Sequence, residues 1–137
     1  MKIYLDIDGV LLNKDLTIPE FGEAIISFLT TNHDCYWLST HCRGGNCTAV
    51  KYLAQYYPLS TVEQLKNIKQ TNWSDLKTEA IDFNADFIWL EDYPFESEKR
   101  KLKENNKIDA LITVDLKRKG ELKMVQKKIE KISALYS

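Results

Sequence analysis

Residues 3–12 read IYLDIDGVLL: Asp6 and Asp8 stand one residue apart in an apolar run, with Gly9 directly behind them. Two later runs also end in polar groups, residues 35–38 at Ser39-Thr40 and residues 87–90 at Glu91-Asp92. Lys77 lies in the first turn of a predicted helix ahead of the second of these. If the runs are parallel strands, acidic groups, a hydroxyl and a lysine meet beyond the carboxyl ends of one sheet, where open α/β sheets gather their ligands. Clustered carboxylates repel and call for a cation. An all-oxygen set suits Mg²⁺, which keeps several waters and readily takes a phosphate oxygen. The lysine's point charge and the hydroxyl's hydrogen bond then make a cradle for a phosphoryl group. One carboxylate can attack phosphorus while a second carries the proton for the leaving group and then for water. Positions i and i+2 of a strand share a face, but Gly9 lets the chain turn out, so Asp8 is expected to swing toward the leaving group.

These groups need a frame. Residues 3–7 are short, apolar and β-branched and read as a strand. Thr17-Ile18-Pro19-Glu20 has the pattern of a capping box, opening a helix with Phe21, Ala24, Ile25, Phe28 and Leu29 on its apolar face. A strand over 35–38 and a Gly44-Gly45-Asn46 loop lead to a helix over 48–57, stopped by Pro58. A weaker helix over 60–69 follows, its Ser60 and Glu63 resembling a second capping box. Ser74 is placed to cap a short helix over 75–83. A strand over 87–90, a charged helix over 96–105, a strand over 110–114 and a helix over 120–135 complete the chain. The last helix carries Leu122, Val125, Ile129 and Ile132 on one side. This alternation predicts an α/β doubly wound domain spanning 1–137, its mostly parallel sheet covered by helices on both faces.

Asp6-Ile7-Asp8-Gly9-Val10-Leu11 resembles the first motif of the haloacid dehalogenase-like (HAD) superfamily of phosphohydrolases, and the later elements arrive in that family's order. CYWLST resembles the second motif, a strand ending in Ser or Thr. Lys77 in SDLKTEAI resembles the third, and FIWLED the fourth, an apolar strand ending in an acidic pair. The resemblance spans residues 3 to 92 and implies a Rossmann-like HAD fold and a Mg²⁺-dependent phosphatase working through an aspartyl-phosphate. It makes Asp6 the nucleophile, Asp8 the general acid/base, Ser39 the phosphoryl ligand and Lys77 the neutralising cation. It gives Mg²⁺ to Asp6, the Asp8 carbonyl and Asp92, with Glu91 a direct or water-mediated helper. Thr40 replaces Ser39 if the strand runs one residue longer, and the usual acidic pair is Asp-Asp, whereas Glu91 comes first here. Arg43, just beyond the phosphate-binding strand end with His41 and Cys42, is a further substrate-binding candidate because guanidinium pairs well with phosphate.

Members of that family commonly insert a cap domain. Residues 9–18 are too few for one, and 42–74 are largely used by predicted helices. The resemblance thus implies a capless site, open to a bulky phosphorylated substrate or closed by a neighbouring subunit. Alternative readings are a degenerate domain serving as a binding module and a receiver-like phosphoacceptor, whose motif order differs.

Composition sets the remaining bounds. Hydrophobic residues make up 44 % of the 137, enough for a real core. No apolar run is long enough to cross a bilayer and no targeting segment is visible, which predicts a cytoplasmic protein with no membrane partner. Cys35, Cys42 and Cys47 fit no secreted or zinc-site spacing and read as reduced thiols. Net charge is −1, but residues 99–131 hold twelve Lys/Arg against five Asp/Glu. That stretch could meet an anionic polymer such as nucleic acid, but a solvated lysine-rich helix face is the favoured reading.

Overall fold

Alternate residues of each strand go to opposite faces of a sheet, and here both faces are apolar, so neither can stay wet. Ile3, Leu5, Ile88 and Leu90 join one buried cluster, while Tyr4, Phe87 and Trp89 join the other. The computed structural model describes residues 1–136. Its sheet is formed by β1 (Lys2–Leu5), β2 (Asp34–Trp37), β3 (Phe87–Glu91) and β4 (Leu111–Thr113), all parallel, in the order β2-β1-β3-β4. The fold is therefore α/β, with the sheet wound in both directions from β1.

The larger cluster lies under α1 (Gly22–Asn32), α2 (Ala49–Leu53), α3 (Leu59–Leu65) and α5 (Glu121–Ala134). The other face is covered more thinly, by α4 (Glu96–Glu104) through Leu102 and by a 3₁₀ turn at Lys77–Ala80. With five and seven residues, α2 and α3 are too short to stand alone. Burial of Leu53, Val62 and Leu65, at roughly 1.5–3 kcal/mol per fully buried large side chain, is what holds them. Residue 69 bridges to β2: the Trp37 amide donates to the Lys69 carbonyl, and the Lys69 amide to the Cys35 carbonyl. The edge strand is thereby shielded. Residues 42–74 carry α2, α3 and the bridge at Lys69. Among the described residues no helix is long and apolar enough to cross a membrane.

Several local expectations are corrected. Thr17 does not cap a helix; its hydroxyl and amide go to the Asp15 carboxylate, and α1 starts at Gly22 after Phe21, which takes a left-handed conformation (φ 63°). Phe21 and Ala24 are consequently exposed, and Ile26 joins Ile25 and Leu29 in the core. Ser60 does not cap α3, which begins at Leu59 after Pro58. The predicted helix over 48–57 ends at Leu53, and that over 75–83 shrinks to the Lys77–Ala80 turn. Ser74 does not cap that turn; instead, the Glu79 carboxylate accepts the amides of Ser74, Asp75 and Leu76 together with the Ser74 hydroxyl. Cys42 and Cys47 are joined as a disulfide rather than reduced, because the turn at Gly44 and Gly45 (φ 77° and 86°) folds the chain back on itself. Cys35 is a free thiol, and burial pushes its pKa up to about 12.

Candidate functional site

The order β2-β1-β3 puts a topological switch point between β1 and β3, where crossovers leave in opposite directions and a crevice opens at the carboxyl ends. Leu5 is paired with Leu90 and with Trp37, so Asp6 falls level with Glu91 on one side and Leu38 on the other. The Asp6 amide donates to the Leu90 carbonyl and the Leu38 amide to the Leu5 carbonyl, which fixes that register. Asp6 is 7 % exposed and Glu91 4 %. Asp92, the next residue after β3, completes a set of three carboxylates whose oxygens lie within 4.8 Å of one another.

Gly9 makes that approach feasible. Its φ is +83°, and a Cβ there would lie 2.2 Å from Asp92 Oδ2, so a side chain would occupy the space of the carboxylate. The turn of residues 7–12 is closed by amides of Val10, Leu11 and Leu12 donating to the Ile7 carbonyl. The Asp8 carbonyl accepts no backbone hydrogen bond among the described residues.

Lys77 is the counter-charge. Its ammonium lies 2.9 Å from Glu91 Oε2 and 3.4 Å from Asp6 Oδ1, and the residue is 9 % exposed. Burial works against its charge, but the Asp6 and Glu91 carboxylates outweigh it and raise the lysine pKa. The same burial pushes Asp6 up to about 6 against the pull of Lys77. Glu91 is pushed up to about 8 by burial and by the Asp6 charge. One ammonium thus faces three carboxylates, and without another cation the surplus negative charge is relieved by a proton on the Asp6–Glu91 pair. Oxygen-only donors with this surplus fit a hard divalent cation such as Mg²⁺.

Asp8 lies outside that cluster, on the turn, with its side chain about half exposed. His41 Nε2 sits 3.2 Å from one carboxylate oxygen, the Tyr52 hydroxyl donates to the other at 3.1 Å, and the two rings stack with centres 4.1 Å apart. Ser39 is buried at the end of β2, where its Oγ accepts the His41 amide and its carbonyl accepts Trp73 Nε1. Thr40 is exposed in the first turn after it. Arg43 is turned elsewhere: its Nε donates to the Ser74 carbonyl at 2.6 Å, and its guanidinium sits 5.4 Å from the Trp73 ring centre.

The predicted set therefore divides. Asp6, Lys77, Glu91 and Asp92 converge. Asp8 and Ser39 border them on neighbouring strand ends, while Thr40 and Arg43 make no contact with the carboxylates. Sequence reasoning missed Tyr52 and treated His41 only as a neighbour of the phosphate-binding strand end. It also missed Glu98, 2 % exposed, which accepts the Lys77 amide at 3.1 Å and the Phe95 amide at 2.9 Å. Glu98 stands three residues into a helix after Phe95, a spacing that signals capping but not the reach to Lys77. Comparison with protein-family models, with curated proteins and with solved structures finds no match to this chain.

Proposed function

We propose that the protein is a Mg²⁺-dependent phosphatase of the HAD type, hydrolysing a phosphomonoester through an aspartyl-phosphate. The observation that carries this reading is the convergence of Asp6, Glu91, Asp92 and Lys77 at the β1/β3 switch point. Asp6, Asp92 and the free Asp8 carbonyl would hold Mg²⁺, with Glu91 beside them. When bound, the ion supplies positive charge against the phosphoryl oxygens and the surplus carboxylates.

The chain's own groups account for the rest. An Asp6 carboxylate oxygen attacks phosphorus, and the bond from phosphorus to the substrate oxygen breaks. Lys77 spreads positive charge over the developing negative oxygens, and the Ser39 hydroxyl is positioned at the neighbouring strand end to donate to one of them. Asp8, on the turn that follows β1, gives a proton to the departing alcohol and then takes one from the water that hydrolyses the aspartyl-phosphate. The absence of an inserted cap leaves the mouth open, which favours a substrate large enough to exclude water itself.

The test is turnover of p-nitrophenyl phosphate with Mg²⁺ and with chelator, for wild type and Asp6→Asn. The expected result is metal-dependent release of phosphate that falls by at least a thousandfold in Asp6→Asn. Turnover that survives in that variant overturns the assignment of the nucleophile.

A further inference from the structure

A cleft of about 540 Å³ opens next to Asp92 and Gly9, between the loop that follows β1, Tyr93, and the turn that follows β4. Its volume falls in the range that encloses a small organic molecule. The walls are mixed. Val114 and Leu116 give it apolar surface, and the Tyr93 ring stands 75 % exposed at its edge.

The charges in this cleft are not equally committed. The Asp15 carboxylate already accepts the Thr17 amide and hydroxyl. Asp115 accepts the Lys117 amide and faces the Arg118 guanidinium at 3.7 Å. Asp92 belongs to the acidic cluster. The ammonium groups of Lys14 and Lys117, one from each wall, have no hydrogen-bond or ion-pair partner among the described residues. Two unpaired lysines thus line one cleft that also reaches Asp92, the least buried member of the acidic cluster.

We propose that this cleft receives the part of the substrate beyond the scissile phosphate, and that this part carries a second anionic group, phosphate or carboxylate, held by Lys14 and Lys117. The inference rests on the phosphatase reading for which end of the substrate enters first. A substrate with one phosphate would put a neutral group against two solvated ammoniums. One with a second anion gains two charge-assisted contacts there, each stronger than a neutral hydrogen bond.

The experiment compares kcat/KM for three probes on one scaffold: glycerol 2-phosphate, 2-phosphoglycerate and glycerol 1,2-bisphosphate. The carboxylate and phosphate arms separate the two sources of the second charge. Wild type is expected to favour at least one charged probe over glycerol 2-phosphate by tenfold or more. In the double variant Lys14→Ala/Lys117→Ala that ratio falls to near one, and in Lys14→Glu/Lys117→Glu it inverts. No preference in wild type, or a preference that the double variants keep, overturns the proposal. If no probe turns over, turnover of p-nitrophenyl phosphate decides the phosphatase reading separately, and the cleft is judged by calorimetric titration with glycerol 1,2-bisphosphate. Binding weakened at least tenfold in the double alanine variant upholds the site, whereas no binding, or unchanged binding, rejects it.

Discussion

At Gly9 the backbone and the acidic cluster make demands on the same few cubic ångströms. Gly9→Ala combines a strained φ with a methyl group placed on the Asp92 carboxylate. A non-glycine residue in such a conformation costs about 1–3 kcal/mol, and displacement of Asp92 weakens any cation site. The expected outcome is a lower unfolding midpoint together with a higher Mg²⁺ concentration for half-maximal turnover, read from thermal melts and metal titrations. Asp8 makes a subtler case. Its carboxylate is oriented by His41 and Tyr52 from one side, and a hydrogen bond to a charged group is worth about 1.5–3 kcal/mol. Tyr52→Phe should therefore slow hydrolysis of an alkyl phosphate, whose leaving group needs a proton, by about ten- to a hundredfold. Measured as kcat/KM, which reports only the step that forms the aspartyl-phosphate, the effect on p-nitrophenyl phosphate should be small, because its leaving group departs without a proton. Equal slowing of both substrates would mark Tyr52 as a packing residue only. The acidic residues were legible in the sequence because each ends an apolar run. Tyr52 was not, because it reaches Asp8 from a short helix far along the chain, and nothing among its neighbours singles it out.

Among elements, strands were read more accurately than helix ends, and the physics explains the difference. The central strands β1 and β3 are runs of mainly apolar residues buried on both faces, and hydrophobicity alone reveals such a run. Helix ends depend on which of several polar side chains reaches which amide. Thr17 found Asp15, and the amides of residues 74–76 found Glu79, so the apparent caps at Thr17 and Ser74 served turns. Burial of the anchoring charges is equally unreadable locally, since Glu98 and Lys77 meet only through folding. Glu98 ties the start of α4 to the turn that presents Lys77. Glu98→Ala leaves the buried Lys77 amide without its acceptor, at about 1–3 kcal/mol, and frees the Phe95 amide to water. The variant is expected to unfold at lower denaturant and to lose turnover out of proportion to its folded fraction, because Lys77 loses its mooring. Glu98→Gln, which keeps one carbonyl acceptor, should recover part of both losses. If the alanine variant keeps full activity while folded, the tether between α4 and Lys77 has no functional weight.

Across the whole molecule, the sheet concentrates three carboxylates against a single ammonium, and the proton balance of that cluster should be visible in stability. Asp6 and Glu91 have ordinary values of 3.8 and 4.5, raised in the folded chain to about 6 and about 8, chiefly by burial. The folded state thus holds protons that the unfolded state has released. The resulting stabilisation is complete below about pH 4 and is lost as pH rises through 6 and then 8. Lys77, also raised, titrates above 10.5 and stays outside this window. At roughly 1.4 kcal/mol per tenfold change in proton affinity, the loss between pH 5 and 8.5 amounts to a few kcal/mol in chelator. A divalent cation binds the deprotonated cluster and competes with those protons, so its stabilising effect should run in the opposite direction. Melting temperatures measured from pH 5 to 8.5 should fall in chelator, and the increment produced by millimolar Mg²⁺ should be small at pH 5 and large at pH 8. Asp6→Asn removes one of the competing charges and should flatten both trends. A Mg²⁺ increment independent of pH would mean that the ion binds elsewhere than among Asp6, Glu91 and Asp92, and the acidic cluster would then be a structural feature stabilised by Lys77 and a shared proton alone.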